Sequence, residues 1–161
     1  SQLDRTIGGS LLHVGNRAYF FDHTSKDLTD YSAPRRSLYL PVVRNNLYPV
    51  FQLFDYSDAS VPNGNRSSST VAPQALFMLN SDLVQDSAEA LSDRLLSDDS
   101  LTDEQRIEHL YSLAYSRPVT SLESARLLAY LNSESSEADR QTLWTTACQA
   151  ILASSEFIFI R

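Results

Sequence analysis

Thr102-Asp103-Glu104-Gln105-Arg106-Ile107-Glu108-His109-Leu110-Tyr111-Ser112-Leu113-Ala114-Tyr115-Ser116-Arg117-Pro118-Val119-Thr120-Ser121-Leu122-Glu123 decides how the rest of the chain is read. Thr102 with Gln105, and again Thr120 with Glu123, is a capping box: a hydroxyl meets a free backbone N–H of the first helical turn, and a long polar side chain reaches back. After the first box, Ile107, Leu110, Tyr111 and Ala114 recur at i, i+3, i+4, i+7, one face of a helix. Arg117-Pro118 ends it, because proline disfavours helical geometry in the residue before it. The second box opens a helix expected to turn Ala125, Leu128 and Ala129 inward.

The same period extends outward. After Pro73, residues Leu76, Leu79, Leu83, Ala90, Leu91 and Leu95 approximate one face of a helix over 74–96. Past a Ser/Glu linker at 132–137, Trp144, Ala147, Cys148 and Ile151 repeat at helical spacing. Upstream, 48–54 reads as a short helix with Pro49 in its first turn, where a missing N–H costs nothing. Residues 37–43 are rich in β-formers, but Pro41 confines them to an edge strand or extended segment. The apolar end at 157–160 is expected to pack on the core or to pair with that segment. Residues 55–71 form a polar loop with a Pro62-Asn63-Gly64 turn, and 1–34 hold no sustained period. The fold class is therefore mainly α: a small bundle of about four helices, a minimal strand pair and an irregular N-terminal arm. The arm covers 1–34 and the helical domain 35–161.

Composition limits the function classes. A chain of 161 residues suits one domain and buries roughly 70% of its unfolded surface. At 42% hydrophobic residues it is too apolar for disorder, and no apolar run approaches the ~18 residues of a membrane span. A single cysteine, Cys148, excludes an internal disulfide framework, a Cys-rich zinc site and a Cys-x-x-Cys-His haem attachment. The net charge of −7 argues against nucleic acid. That charge is unevenly placed: 1–70 hold seven basic and six acidic side chains, and 71–161 hold six and fourteen. The basic residues are twelve Arg and one Lys, Lys26, which suits forked recognition of carboxylate, sulfate or phosphate but equally a coding bias. Met78 is the sole methionine, so a chain beginning at Ser1 reads as a processed or excised piece.

Catalytic constellations are weak. His13, Asp22 and His23 share the arm and form a His/Asp/His set, but a metal site needs three or four ligands in defined geometry, and a hydrogen-bonded or surface role takes precedence. His109 is expected in solvent, and Cys148, on an apolar helix face, is expected inert. No Gly-x-Ser-x-Gly elbow is present. The more informative cluster is polar: Arg35, Arg36, Tyr39, Arg44, Arg66, Thr70, Gln74 and Asn80. Its functional reading is recognition of an anionic group, with Gln74 in the first turn of a helix. Its structural reading has Arg66 and Gln74 satisfying carbonyls of a buried loop, and takes precedence because most side-chain hydrogen bonds go to backbone. Nine aromatics (Tyr19, Phe20, Phe21, Tyr31, Tyr39, Tyr48, Phe51, Phe54, Tyr56) precede residue 60, more than core filling alone needs.

Several motifs run in a characteristic order: Arg-Arg-Ser-Leu-Tyr-Leu-Pro at 35–41, Leu-Phe-Asp-Tyr at 53–56, Arg66, Ser-Thr-Val-Ala-Pro-Gln-Ala-Leu at 69–76, and Met-Leu-Asn-Ser at 78–81. Arg-Pro-Val-Thr at 117–120, then Trp144, Cys148 and Ser155-Glu156-Phe157 follow. In these motifs the chain resembles the PSD-type C-terminal domain of unknown function of large planctomycete-type secreted proteins. The resemblance implies export to the cell envelope or beyond, no cofactor in this chain, and a haem c carried by a different segment of the parent protein. It carries over no activity.

Three function classes follow. The first is a non-catalytic structural or interaction module that docks onto neighbouring domains or subunits of a secreted, cytochrome-c-linked protein. The second is binding of anionic, sulfated or carboxylated polysaccharide. The third is a part of an enzyme whose catalytic or redox groups lie in another segment.

Overall fold

A computed structural model describes residues 3–7, 31, 35–40, 42, 47–56, 72–132 and 140–159. The chain divides into two compact units, Ser1–Thr70 and Val71–Arg161, at the point where the charge balance shifts. The described residues hold seven α-helices: α1 Pro49–Leu53, α2 Ala72–Asn80, α3 Asp82–Leu96, α4 Asp103–Tyr115, α5 Ser121–Leu131, α6 Arg140–Leu152 and α7 Ser155–Ile158. The mainly helical class stands, and the count of about four is corrected upward.

The expected strand pair is not formed among the described residues. Ser37–Tyr39 is a single 3₁₀ turn, after which Leu40 is extended. Among the described residues its β-formers have no partner strand whose ladder would reward extension. The first unit instead has one isolated parallel bridge between Asp4 and Arg35. At the other end, residues 155–158 wind into α7 because Ser154 caps them, its hydroxyl accepting the Phe157 N–H at 3.2 Å. In α1, Pro49 occupies the first turn as expected, and Phe51 is buried between Tyr48, edge-on at 5.5 Å, and Tyr56, stacked at 4.8 Å. Tyr31 stacks on Tyr48 at 4.0 Å, so four of the aromatics form one continuous cluster of the first unit.

Both capping boxes form. Thr102 accepts from Gln105 N–H while the Gln105 amide oxygen accepts from Thr102 N–H, and Thr120 and Glu123 do the same. The helix expected over 74–96 is instead broken. Ser81 is extended (φ −80°, ψ 139°), and its hydroxyl accepts the Val84 N–H at 3.4 Å, so α3 starts afresh at Asp82. Ser81→Ala is expected to lower stability by about 0.5–1 kcal/mol in urea unfolding, with helical circular dichroism preserved. An unchanged midpoint would mean the cap contributes nothing.

The break changes which face is buried. Of the expected stripe, Leu95 is buried and Ala90 and Leu91 are half-buried, but Leu76, Leu79 and Leu83 are exposed at 59%, 52% and 61%, and Gln74, Met78, Val84, Ala88 and Ser92 are buried in their place. The small Ala88 and Ser92 on α3, and Ala147 and Cys148 on α6, let these two helices approach closely, and they make the most extensive helix pair among the described residues. Ser92 bridges them, its hydroxyl 2.9 Å from that of Thr145 and accepting the Gln141 amide at 2.8 Å. The expected faces of α4 (Ile107, Leu110, Tyr111) and α6 (Trp144, Ala147, Cys148, Ile151) are buried, except that Ala114 of α4 is half-buried. Of the α5 residues expected inward, Ala125 and Ala129 are exposed and Leu128 is half-buried, as are Leu127 and Leu131. This helix lies on the periphery of its unit and contributes no fully buried side chain. His109 is exposed, as expected.

Candidate functional site

The end of α4 builds the most organised group of charged side chains in the second unit. Tyr115 closes α4, and Ser116 takes a left-handed conformation (φ 55°, ψ 31°) that turns the chain sharply. That turn aims Arg117 back over the aromatic end of the helix, its guanidinium 5.3 Å from the Tyr111 ring centre and 5.2 Å from that of Tyr115. Two carboxylates meet it in forked geometry. Arg117 Nε and Nη2 donate to Glu156 at 2.6 and 2.9 Å, and Nη1 and Nη2 donate to Glu123 at 3.1 and 2.7 Å. Nη1 also donates to the Pro118 carbonyl at 3.0 Å. A guanidinium has five N–H donors, and these contacts use all of them.

This clamp ties the start of α5, through Glu123, to α7, through Glu156. Glu123 has two tasks, since its carboxylate also accepts the Thr120 N–H of the capping box at 2.9 Å. Arg117 first, then the Thr120 hydroxyl and N–H, hold the Glu123 carboxyl down to about 2. The carboxylates in turn raise the pKa of Arg117. Burial raises both Tyr111 and Tyr115, and the Tyr115 hydroxyl lies 2.8 Å from that of Ser154. Beside the clamp a cleft of about 650 Å3 is lined by Ala114, Tyr115, Ser116, Arg117, Glu156, Phe157 and Phe159.

The chemistry of this wall is restricted. A carboxylate held ionised near 2 with its oxygens occupied is a poor proton acceptor at neutral pH. A guanidinium without a spare donor does not bind an added anion. The arrangement is a structural joint beside an apolar aromatic lip.

Its acid dependence has a definite sign. The Glu123 pKa is lowered on folding from 4.5 to about 2, so its contribution to stability is complete above pH 4.5. It is lost as pH falls toward 2. Urea midpoints of the wild type and Glu123→Gln are expected to differ at pH 6 and to converge as the pH falls through that window. A gap that is the same at pH 6 and pH 2.5 would contradict this.

The first unit holds a cleft of about 290 Å3, lined by Asp4, Arg5, Ile7, Arg36 and Tyr39. Arg35 stands behind it with a side chain only 6% exposed, 3.6 Å from the Asp4 carboxylate. Its Nη2 donates to the Thr6 carbonyl at 2.7 Å, and its guanidinium lies 5.3 Å from the Tyr39 ring centre. Asp4 is kept ionised, first by hydrogen bonds from Thr6 and also by the Arg35 charge. Arg35 is thus a structural cation, whereas Arg36 and Arg5 are exposed.

The structure brings together Arg35, Arg36 and Tyr39 of the residues singled out from sequence. Gln74 lies in the first turn of α2 and is 4% exposed. Asn80 is exposed, and its amide donates to the Leu76 carbonyl at 2.8 Å, bracing the end of α2. Arg44, Arg66 and Thr70, and the metal candidates His13, Asp22 and His23, lie outside the described residues. Among the described residues no group of three or more His, Cys, Asp or Glu side chains is placed to hold a metal ion. Cys148 is fully buried, and burial pushes its thiol up to about 12, so it is protonated and unreactive at neutral pH. Among the described residues no helix is long and apolar enough to cross a membrane.

Sequence reading missed two charged residues with organising roles, Arg117 and Arg106. Arg117 carried a signal, since it follows a helix end and precedes a capping box whose Glu could accept it. Arg106 lies next to Ile107 and carried none in its spacing.

Comparison with curated proteins and with solved structures gave no match. The model of one family matches residues 1–131, most of the chain. The chain belongs to that family, PSD1, described as a protein of unknown function (DUF1553).

Proposed function

We propose that the chain is a non-catalytic structural and interaction module of a secreted, planctomycete-type multidomain protein linked to cytochrome c, and that it docks onto neighbouring domains or subunits. The observation that carries the reading is the outward apolar face of α2 and α3. Leu76, Leu79 and Leu83 are more than half exposed within eight residues of chain, while the opposite face of the same helices fills the core. Singly exposed leucines are ordinary, but a run of three marks a contact surface. The organised charges support the same reading, because Arg117 spends its donors on an internal joint and Arg35 is held against Thr6 and Asp4.

Hydrogen exchange tests it. In the parent protein, amides of residues 76–87 are expected to exchange more slowly than in the 161-residue chain, because docking adds protection to the helices. Equal exchange in the two contexts would remove the support for docking.

A second reading, binding of anionic polysaccharide, draws on the smaller cleft. Arg5 and Arg36 are exposed and line it together with Tyr39, a pairing of cationic forks and aromatic ring suited to a sulfated or carboxylated sugar. It requires salt-sensitive retention on a heparin column that Arg36→Ala reduces without loss of helicity.

A further inference from the structure

We propose that the α2–α3 face takes a cationic amphipathic segment of a partner protein, one whose apolar residues sit on the leucines and whose Lys or Arg side chains flank them. This rests on the docking reading above and names the chemistry of its partner.

The charges around the leucines set the chemistry of the partner. Helix α2, Ala72–Asn80, has the sequence APQALFMLN and carries no charged side chain. On α3 the acids Asp82, Asp86 and Glu89 are exposed at i, i+4, i+7, and none is ion-paired with a described residue. Leu83 and Asp86 are three apart, so an apolar anchor and an acidic flank share the outward side of one helix.

The second unit has little charge of its own to neutralise this strip. Residues 71–161 hold six arginines against fourteen acids. Arg106 and Arg140 are held by Asp103, and Arg117 by Glu123 and Glu156. On α3 itself the sole basic residue is Arg94, in the last turn.

These charges also select the partner. A second copy of the chain related by a two-fold axis would set Asp82, Asp86 and Glu89 against their own counterparts or near them, and like charges across an interface are costly. A neutral apolar helix would cover the leucines but desolvate the acids without compensation. A helix with apolar residues at i, i+3, i+7 and basic flanks satisfies both halves of the face.

The test uses the whole 161-residue chain and two synthetic amphipathic peptides with the same leucine face. One carries Lys and Arg on its polar side, the other Glu. By fluorescence anisotropy the cationic peptide is expected to bind and to weaken about tenfold or more between low and high salt. The anionic peptide is expected not to bind. Leu79→Ser with Leu83→Ser should abolish binding, and Asp82→Asn with Asp86→Asn and Glu89→Gln should remove most of the salt dependence. All five positions are exposed, so circular dichroism should stay unchanged. If both peptides bind alike and the leucine variant loses both, docking stands and the cationic preference is overturned. If neither binds, or if the cationic peptide binds the leucine variant as well as the wild type, the face is not a docking surface and both readings fall.

Discussion

Replacing Trp144 with alanine is expected to lower the unfolding free energy by about 4 kcal/mol, a large share of the 5–15 kcal/mol that holds a domain folded. The indole is fully buried, on the face of α6 that also buries Ala147, Cys148, Ile151 and Leu152. Helix α3 packs against α6 through small residues, so little side-chain volume is available to collapse into the space left behind. The cost therefore includes both lost transfer energy and a residual cavity. The indole Nε1 has no hydrogen-bond partner among the described residues, so its N–H contributes no bond that a substitution could break. Trp144→Phe should then cost only about 1–2 kcal/mol, the volume difference alone. Urea unfolding of both variants checks this. A Phe variant as unstable as the Ala variant would show that the N–H matters, and a mild Ala variant would show that the core is loosely packed there.

Arg106→Met is expected to cost about 2–3 kcal/mol, for a reason that begins at the neighbouring helix. Helix α3 ends in Leu95-Leu96-Ser97-Asp98-Asp99, without a glycine to let a left-handed turn satisfy its last carbonyls. The Ser97 hydroxyl donates to the Arg94 carbonyl at 2.8 Å, and Arg106, itself 5% exposed, supplies donors beyond it. Its Nε donates to the Leu95 carbonyl at 3.0 Å and its Nη2 to the Asp98 carbonyl at 2.7 Å. Its Nη1 meets the Asp103 carboxylate at 3.2 Å. Methionine fills much of the same volume, so the loss isolates the hydrogen bonds; the Asp98 carbonyl keeps the Leu101 N–H, whereas the carbonyl of buried Leu95 loses this donor, which is costly.

Two effects oppose each other here. Removing one partner of a buried pair usually costs 3–5 kcal/mol, yet exchanging a buried charge for an apolar side chain also relieves its desolvation. Asp103 keeps a second partner, Arg140, and so is not stranded. The loss of the two carbonyl bonds is therefore the deciding part. Thermal unfolding of Arg106→Met and Arg106→Lys separates the contributions. Lysine keeps the charge but cannot spread three donors in one plane, and should fall between wild type and Met. A Met variant as stable as wild type would mean that desolvation outweighs the bonds.

What was readable in the residues themselves lies within one or two turns of chain. The capping boxes at Thr102 and Thr120, the stop at Arg117-Pro118, Pro49 in a first turn and the buried face of α6 all follow from signals a few residues apart. That proximity is why the helical class and most helix ends of the second unit could be stated before any packing was known. The Ser81 break is local too, but Ser81-Asp82 was outweighed by the leucine period running through it.

The remaining features depended on neighbours distant in sequence. Leu76, Leu79 and Leu83 form a better apolar stripe than Gln74, Met78, Val84, Ala88 and Ser92, yet the second set faces the core. Small side chains allow α3 and α6 to close on each other, and close approach outweighs the hydrophobicity of any one face. The donor for the Leu95 carbonyl at the end of α3 comes from Arg106 on the next helix, and the carboxylates around Arg117 come from two separate elements. Residues 157–159 carry the residues of a strand, but Ser154 offered a cap and no ladder was at hand among the described residues. Local propensity determined where helices could form in this chain. Which side of each is buried, and which arginines are buried with it, was decided by tertiary contact, because only there are buried carbonyls and charges forced to find partners.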